Sequence, residues 1–247
     1  MNKKIEFNSE IPVYKQLADI IEEMIFSAEY KPGDKLLSEN KICEKYFVSR
    51  TTVRQTLNLL SQKGLINSVH GKGTFIKIPE IHHDLSRIVR FGSALNKEGL
   101  IGFTKVLAYD TEIKKNAALE ELGDDYFNLY LLGYIQNTPV VYYKSYIVGS
   151  IKEKVYASAK RLEMSKKPFS TLDVYDDIGI KIKSIKQEVS AVVGNGKTAE
   201  TLQLNGVYAL LRLESVYYDE DNNPIEYKTA YYRSDVYHFN LIRELEN

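Results

Sequence analysis

The sequence predicts an α+β protein of two domains: a small helical domain with a two-stranded hairpin, then a mostly antiparallel sheet with helices. Three observations predict this fold class. Residues 46–64 have the apolar spacing of a helix that closely follows another helix. A glycine-rich turn joins two short β-rich runs within 65–78, and beyond residue 85 β-rich runs occur in pairs joined by polar turns. A chain of 247 residues is long enough for two hydrophobic cores.

The helix predicted after Ser49 has one apolar face and one polar face. Val53, Leu57 and Leu60 stand at i, i+4 and i+7 and therefore share a face, while Ser49 stands at the N-cap position. The exposed faces near the N-terminus carry Arg50, Thr51 and Arg54. A helix that begins with hydrogen-bond donors and positive charge is suited to entering the major groove of DNA.

Two short strands are predicted after this helix, at Leu65–Val69 and Thr74–Ile78, with the glycine-rich turn His70–Gly73 between them. Lys72 at the turn is placed to contact a phosphate or the minor groove. A polar helix face with two arginines is most often only solvated, and a Gly-Lys-Gly turn is by itself only a turn. The ordered combination of both features indicates a winged helix-turn-helix.

Six short segments occur in a characteristic order within residues 11–78. They are Pro12-Val13-Tyr14, Pro32-Gly33-Asp34, Leu37-Ser38-Glu39, residues 48–54, Gly64-Leu65-Ile66 and residues 71–75. In this order they resemble the DNA-reading domain of the GntR family of bacterial transcription regulators, although the family usually has proline at the position of Leu37. The resemblance implies that DNA is bound by Ser49, Arg50, Thr51, Thr52, Arg54, His70, Gly71 and Lys72.

The charge distribution places the nucleic-acid footprint in this first domain. The formal net charge of the whole chain is +0, but residues 31–77 contain nine basic and three acidic residues, a surplus of six. Cys43 is the one cysteine, so no disulfide can form within the chain. Neither a secretion signal nor an apolar run of about 20 residues is visible, and we therefore expect a cytoplasmic protein without a membrane anchor.

The change in composition after Pro79 predicts domains at 1–78 and 85–247 with a linker at 79–84. His82 and His83 in this linker are interpreted as solvated, because neighbouring histidines point apart and no Cys or His partner stands at ligand spacing. Helices are expected at 85–99, 116–122, 152–160, 168–177, 194–204 and 236–245. Strands are expected at 104–111, 126–135, 140–148, 182–193, 209–218 and 224–232.

Two segments, residues 210–219 and 224–239, are the most informative part of this second domain. They resemble the effector-binding UTRA domain of the HutC branch of the GntR family, which has a chorismate lyase-like fold and binds a small molecule that controls DNA binding. Relatives that bind sugar phosphates carry two arginines where this chain has Leu131 and Gly133. They also place Ser and Tyr where residues 169–171 read Phe-Ser-Thr. Without bidentate arginines, we expect no phosphate in the usual place.

The effector is expected to be a small polar molecule, a sugar or another polar metabolite, in a cleft between two predicted hairpins. The resemblance places Arg90, Tyr143, Arg212, Glu226 and Tyr232 as candidates for binding it. The chain has nineteen tyrosines and no tryptophan, and tyrosine combines a flat ring with a hydroxyl group. The alternative is that most tyrosines pack the sheet and that Arg212 pairs with Glu226 or Glu214.

Three classes of function compete at this stage. The first is a ligand-responsive repressor that binds a palindromic DNA operator as a homodimer; the second is an enzyme; the third is an architectural DNA-binding protein without a ligand. The four histidines lie in the wing, in the linker and near the end, and no catalytic residues, cofactor site or metal site are expected. An architectural role leaves the long second domain unexplained, so the repressor is the favoured hypothesis.

Overall fold

The computed structural model describes residues 5–26, 29–30, 32–77, 79–108, 117–204 and 206–243. The chain divides into two compact units, Met1–Pro79 and Glu80–Asn247. No helix in the described ranges is long and apolar enough to cross a membrane.

The first unit contains three helices and a β-hairpin. The elements are α1 (Val13–Phe26), α2 (Glu39–Tyr46), α3 (Arg50–Gln62), β1 (Ile66–Val69) and β2 (Gly73–Ile76). Apolar residues from all three helices and both strands form one core, in which Leu17, Val53 and Leu60 are fully buried. Ser38 caps α2 by accepting a hydrogen bond from Lys41 N. The order of elements is that of a winged helix-turn-helix, as predicted.

The wing is stabilised by a third extended segment. Strands β1 and β2 pair antiparallel, and Lys35 forms a bridge to Phe75 on the other side of β2. Leu36 N donates to Thr74 O at 2.8 Å, and Ile76 N donates to Asp34 O at 2.8 Å. The predicted second wing strand ends at Ile76, and Ile78 lies outside the described residues.

The second unit is organised around a six-stranded antiparallel sheet with the order β4-β5-β6-β9-β8-β7. Its strands are β4 (Gly102–Ala108), β5 (Tyr126–Ile135), β6 (Thr138–Val148), β7 (Ile182–Gly194), β8 (Tyr208–Asp219) and β9 (Pro224–Arg233). Its α-helices are α4 (Phe91–Lys97), α5 (Lys152–Met164), α6 (Thr171–Asp177) and α7 (Gly196–Thr201), and 3-10 helices cover Ala117–Leu122 and Gly149–Ile151. Residues 109–116, which carry the end of one predicted strand and the start of one predicted helix, lie outside the described residues.

The two predicted hairpins lie side by side in this sheet and do not enclose a cleft. They are β5–β6 and β8–β9, and β6 pairs directly with β9, with Tyr143 opposite Ala230. The expectation of a cleft between them is therefore wrong. Hydrogen bonds between β6 and β9 join both hairpins into one surface, so a ligand has to bind on a face of the sheet.

Three further predictions about this unit are wrong. Residues 81–84, expected in a linker, form strand β3 (Ile81–Asp84), which pairs in parallel with β10 (Tyr237–Asn240). Those same residues 237–240 were expected in a terminal helix. The helix expected at 85–99 is restricted to α4. The two segments that pair lie far apart in the sequence, so neither shows a local periodicity that would predict a strand. Burial of Ile81 and Tyr237 stabilises the strand pair instead.

The larger core lies on one face of the sheet. Strand residues that point to this face pack against α4, α5, α6 and the β3–β10 pair. The opposite face carries two smaller apolar clusters, one with Leu202 and Leu204 beside α7 and one with Leu119 and Leu122 of the first 3-10 helix. Alternation along each strand therefore separates the side chains into two different environments.

Candidate functional site

The N-terminus of α3 is fixed by its cap. Ser49 is extended at φ −70° and ψ 156°, and its Oγ accepts a hydrogen bond from Thr52 N at 3.1 Å. The same Oγ lies 2.8 Å from Thr52 Oγ1. Both hydroxyl groups thus take part in the cap, which engages Thr52 N–H, and the N-terminus of α3 is an end of a helix at which negative charge is favoured.

The exposed side of α3 carries the predicted basic and polar residues. Arg50, Thr51 and Arg54 are exposed, whereas Val53 on the opposite side is fully buried. Arg54 Nε lies 3.2 Å from Glu39 Oε2 of α2, and both side chains are largely in solvent. Such an exposed pair is weak. Arg54 is therefore held close to the helix surface by a contact that a phosphate can replace.

The inward side of α3 contains a polar residue that the apolar pattern did not reveal. Thr56 is fully buried, and its hydroxyl group lies 3.1 Å from Tyr14 O and 3.0 Å from Thr52 O. The hydroxyl group joins α3 to the start of α1. Leu57, predicted to face inwards, is only partly buried. Burial of Thr56 fixes the orientation in which α3 presents its basic side.

The tip of the wing is exposed and has a tight backbone. His70, Gly71 and Lys72 are all exposed, and Gly71 and Gly73 adopt φ values of +71° and +118°, which favour glycine. A Cβ atom on Gly73 would lie 2.7 Å from Lys35 Cε. Lys35 is a basic residue at the wing that the motif analysis did not single out, and its position became visible only through its bridge to β2.

A pocket lies on the larger-core face of the second unit, and the cavity inside it is narrow, with a volume of about 30 Å³ for water-sized molecules. The side chains that determine its chemistry are His83, Phe91, Tyr143, Tyr217, Lys228 and Tyr232. They come from the sheet, from β3 and from α4, and Ser170 at the N-terminus of α6 completes the rim. The pocket therefore combines aromatic walls with several polar groups that converge on it.

Two of the five predicted effector residues line this pocket. The rings of Tyr143 and Tyr232 lie 6.1 Å apart between centroids, edge to face. Burial raises the pKa of Tyr143 well above its usual value and that of Tyr232 to about 12. Both phenols are therefore protonated at neutral pH, and a hydrogen bond between them raises the pKa of Tyr143 further while it opposes the rise for Tyr232.

Two more predicted residues lie near the pocket without lining it. Arg90 precedes α4, and its Nη1 lies 3.1 Å from Asp173 Oδ1 and 2.5 Å from Asp176 Oδ2. Glu226 is fully buried, and its Oε2 accepts a hydrogen bond from the hydroxyl group of Tyr175 at 3.0 Å. The carboxylates of α6 thus occupy Arg90 with an ion-pair network.

Arg212 is the predicted effector residue that the fold separates from the pocket. It points to the opposite face of the sheet, where its Nε donates to Ser190 Oγ at 3.0 Å and its Nη2 lies 2.9 Å from Glu214 Oε2. Of the two acidic partners considered from the sequence, the partner is Glu214, on the same strand. One residue of strand register decides on which face a side chain lies.

Sequence reasoning missed Lys228 and also His83, which was interpreted as solvated and is instead buried in the pocket wall. The side chain of Lys228 is 7% exposed, and its Nζ donates to Thr171 Oγ1 at 3.0 Å. The ammonium group also lies 4.1 Å from the centroid of the Tyr217 ring. Burial lowers its pKa. The available signal was a lysine at an inward position of an alternating strand, two residues after Glu226.

Comparison with known proteins agrees with both halves of this description. Residues 13–76 match the profile of "Bacterial regulatory proteins, gntR family", and residues 100–238 match that of the UTRA domain. The chain belongs to the GntR family. Its fold class is confirmed, and the protein is a DNA-binding transcription regulator with a C-terminal effector domain.

Individual relatives cover nearly the whole chain. The mannosyl-D-glycerate transport/metabolism system repressor MngR of Escherichia coli is 24% identical, over 94% of this chain and 96% of its own length. The uncharacterized HTH-type transcriptional regulator YurK of Bacillus subtilis is 30% identical, over 86% of this chain and 81% of its own length. The crystal structure of PhnF from Mycobacterium smegmatis has the same fold, with a TM-score of 0.60 at 20% identity, and covers 93% and 99% of the two chains.

Proposed function

We propose that this protein is a homodimeric repressor of the HutC branch, which binds a palindromic operator in the cytoplasm and releases it when a small polar metabolite binds to the second unit. The observation that carries the proposal is an exposed basic helix N-terminus and wing in the same chain as an aromatic pocket with a buried cation. Two relatives, MngR of Escherichia coli and NagR of Bacillus subtilis, are named repressors, which supports repression over activation. Their family contains regulators, which supports this function over an enzyme.

DNA recognition is assigned to the eight residues predicted from the sequence. Arg50 and Arg54 supply charge on α3, and Ser49, Thr51 and Thr52 supply hydroxyl groups on its first turn. The wing adds His70, Gly71 and Lys72. Exposure of both α3 arginines and of the wing tip supports this assignment. One such head reads too few base pairs for a specific genomic site, so two heads on a two-fold operator are required.

The dimer is assigned to the free edge of the sheet at β7. At the other edge, β4 is covered, since Val106 N donates to Glu163 Oε1 at 2.8 Å and Thr104 N to Lys167 O at 3.3 Å. Across the described part of the chain, no such hydrogen bond protects the outer edge of β7, although this strand has 13 residues. An unprotected edge of this length is a template for pairing with a second copy.

The sequence of β7 is complementary to itself in one antiparallel register. With a two-fold axis at Gln187, Lys186 of one copy faces Glu188 of the other, and Ile185 faces Val189. Opposite charges and apolar residues are the pairs that stabilise neighbouring strands. Val189 is 44% exposed in the single chain, so this pairing also buries apolar surface.

Operator binding is tested with DNA selected by the full-length protein from a random-sequence library. A palindromic consensus bound at two protein chains per site supports the proposal. Sequence-independent binding, or one tightly bound chain on a single half-site, contradicts it. Repression is then measured with a reporter gene downstream of the selected site.

The dimer edge is tested by a charge swap. Lys186→Glu brings like charges together twice per dimer and should weaken dimerisation about tenfold in sedimentation experiments. The double variant Lys186→Glu with Glu188→Lys should restore the wild-type dimer. Equal dissociation constants for all three proteins would assign the dimer to another surface.

A further inference from the structure

A row of polar side chains crosses the apolar face of the sheet at the pocket. Ser145 of β6, Lys228 of β9, Ser215 of β8 and Gln187 of β7 are successive partners in the strand register. Gln187 Nε2 donates to Ser215 Oγ at 3.0 Å, whereas Ser145 Oγ is buried without a hydrogen-bond partner among the described residues. Buried polar groups cost free energy unless they are paired. Of this row, Lys228 and Gln187 line the pocket, so an ammonium and an amide group are the members that can meet a polar group of a ligand.

Lys228 is the charged member of this row, and its hydrogen bonds are incomplete. Its ammonium group has three N–H donors, and Thr171 accepts one of them. The Tyr217 ring contacts the charge, but Glu226 Oε1 is 4.0 Å away, beyond hydrogen-bond distance, and itself has no hydrogen-bond partner among the described residues. An acceptor in the pocket with negative charge would complete the coordination of Lys228.

The charged residues around Lys228 favour a ligand with one negative charge over a ligand with two. Among the described residues that line the pocket, Lys228 is the one lysine or arginine, and Glu226 and Asp173 already act on its charge. The guanidinium group of Arg90 is taken up by Asp173 and Asp176. A phosphate dianion would meet a single cation and two nearby carboxylates, whereas a monoanion needs only one cation.

The two positions where phosphate-binding relatives carry arginine are closed in this protein. Leu131 is fully buried. A Cβ atom on Gly133 would lie 2.6 Å from Val141 Cγ1 and 2.7 Å from Phe91 Cε1, so no side chain fits there unless its neighbours move. Phe91 occupies this space and also lines the pocket. An aromatic side chain therefore closes this side of the pocket.

We propose that the effector is a small carboxylate with one negative charge and a ring as its body, whose carboxylate is bound by Lys228 Nζ. The ring lies against Phe91, Tyr143 and Tyr232, because flat aromatic walls accept either an aromatic ring or the C–H face of a sugar. This inference rests on the proposed function and specifies its effector class.

The binding test uses matched probes that differ in one group. Benzoate, benzamide and phenyl phosphate form one series; glucuronate, glucuronamide and glucose 6-phosphate form another. Calorimetry with the full-length protein should show each acid that binds to be preferred about 10- to 100-fold over its amide and over its phosphorylated counterpart. An amide or phosphate that binds as tightly as the acid overturns the proposal.

Variants connect this preference to Lys228. Lys228→Met should remove the preference for the acid, and Lys228→Gln, which keeps a donor without charge, should bind acid and amide equally. Lys144→Met is the matched control, because Lys144 is half-buried on the opposite face, over the rings of Tyr142 and Tyr231. A retained preference for the acid in folded Lys228→Gln, checked by circular dichroism, overturns the assignment.

The same proteins separate this inference from the proposed function. Lys144→Met should bind the selected DNA and release it with the acid like wild type, whereas folded Lys228→Gln, once bound to DNA, should no longer release it when the acid is added. Failure of the wild-type protein to bind any selected DNA contradicts the proposed function alone. Release of wild-type protein by the phosphate but not by the acid contradicts the inference alone.

Discussion

A pair of opposite charges at each candidate site, Arg54–Glu39 in the first unit and Lys228–Glu226 in the second, differs in burial between the two units. Arg54 and Glu39 in the first unit are 3.2 Å apart, with side chains 69% and 41% exposed. Lys228 and Glu226 in the second unit are 4.0 Å apart, with side chains 7% and 0% exposed. Water screens the first pair and is excluded from the second. The Lys228–Glu226 pair is therefore expected to affect stability more than the Arg54–Glu39 pair, although its atoms are farther apart.

The difference in burial between the two ion pairs matches the proposed function of each site. An exposed arginine can leave Glu39 and bind a phosphate at little cost, which suits a surface that scans DNA. A buried lysine is expensive to hold in its charged form and gains much from a new partner, which suits selection of one ligand. Charge thus provides affinity in the first unit and selectivity in the second.

The largest expected effect is on the buried pair. Glu226→Gln keeps a hydrogen bond with Tyr175 and removes the negative charge, leaving Lys228 uncompensated. We expect the free energy of unfolding of the second unit to fall by about 3–5 kcal/mol at neutral pH, measured by urea denaturation. A loss below about 1 kcal/mol would show that the buried pair behaves like an exposed one and would remove the contrast.

The pH dependence of this loss follows from the lowered pKa of Lys228. The folded state disfavours the charged amine of Lys228, so the full loss of folding free energy is present at pH values below the pKa of Lys228 in the folded state. It disappears as pH rises above the unfolded value of about 10.4. The groups that face this amine are Thr171, Tyr143, Tyr217, Glu226 and Asp173. The free energy of unfolding of the Glu226→Gln variant should therefore approach the wild-type value at alkaline pH. A difference between the two proteins that does not change with pH would exclude the titration of Lys228 as its cause.

The second effect is on DNA binding. Arg50→Ala and Arg54→Ala should each weaken operator binding by about 1–3 kcal/mol and reduce the salt dependence of binding by about one phosphate contact. Lys63→Ala is the control at the far end of α3, where Lys63 pairs with Glu22. Operator titrations at several salt concentrations measure all three, and arginine variants indistinguishable from the control would argue against α3 as the reading element.

The smallest effect is on the exposed pair. Glu39→Gln should change the free energy of unfolding by less than about 1 kcal/mol. It should leave operator affinity equal or slightly higher, because Arg54 loses a competing partner. A clear loss of operator affinity would mean that Glu39 positions Arg54 for DNA, and thermal melting together with operator titration separates these outcomes.

Local sequence determined the first unit almost completely. The cap at Ser49, the apolar spacing of Val53 and Leu60 and the glycines at 71 and 73 act over a few residues, so each could be recognised without the rest of the chain. In the second unit the same kind of pattern located most strands within one to two residues. The family resemblance, and not this pattern, singled out Tyr143 and Tyr232, which line the pocket.

Tertiary structure decided everything that depends on distant segments. Pairing of β3 with β10 converted a predicted linker and a predicted helix into strands, and the pairing of β6 with β9 closed the expected cleft. Register placed Arg212 and Lys228 on opposite faces of one sheet, although both lie on strands with similar alternation. A periodicity of two shows that side chains alternate between the two faces of a strand, but it does not show which face other elements will cover. Only the packing of α4, α6 and β3 against the sheet placed the pocket on the face that carries Lys228.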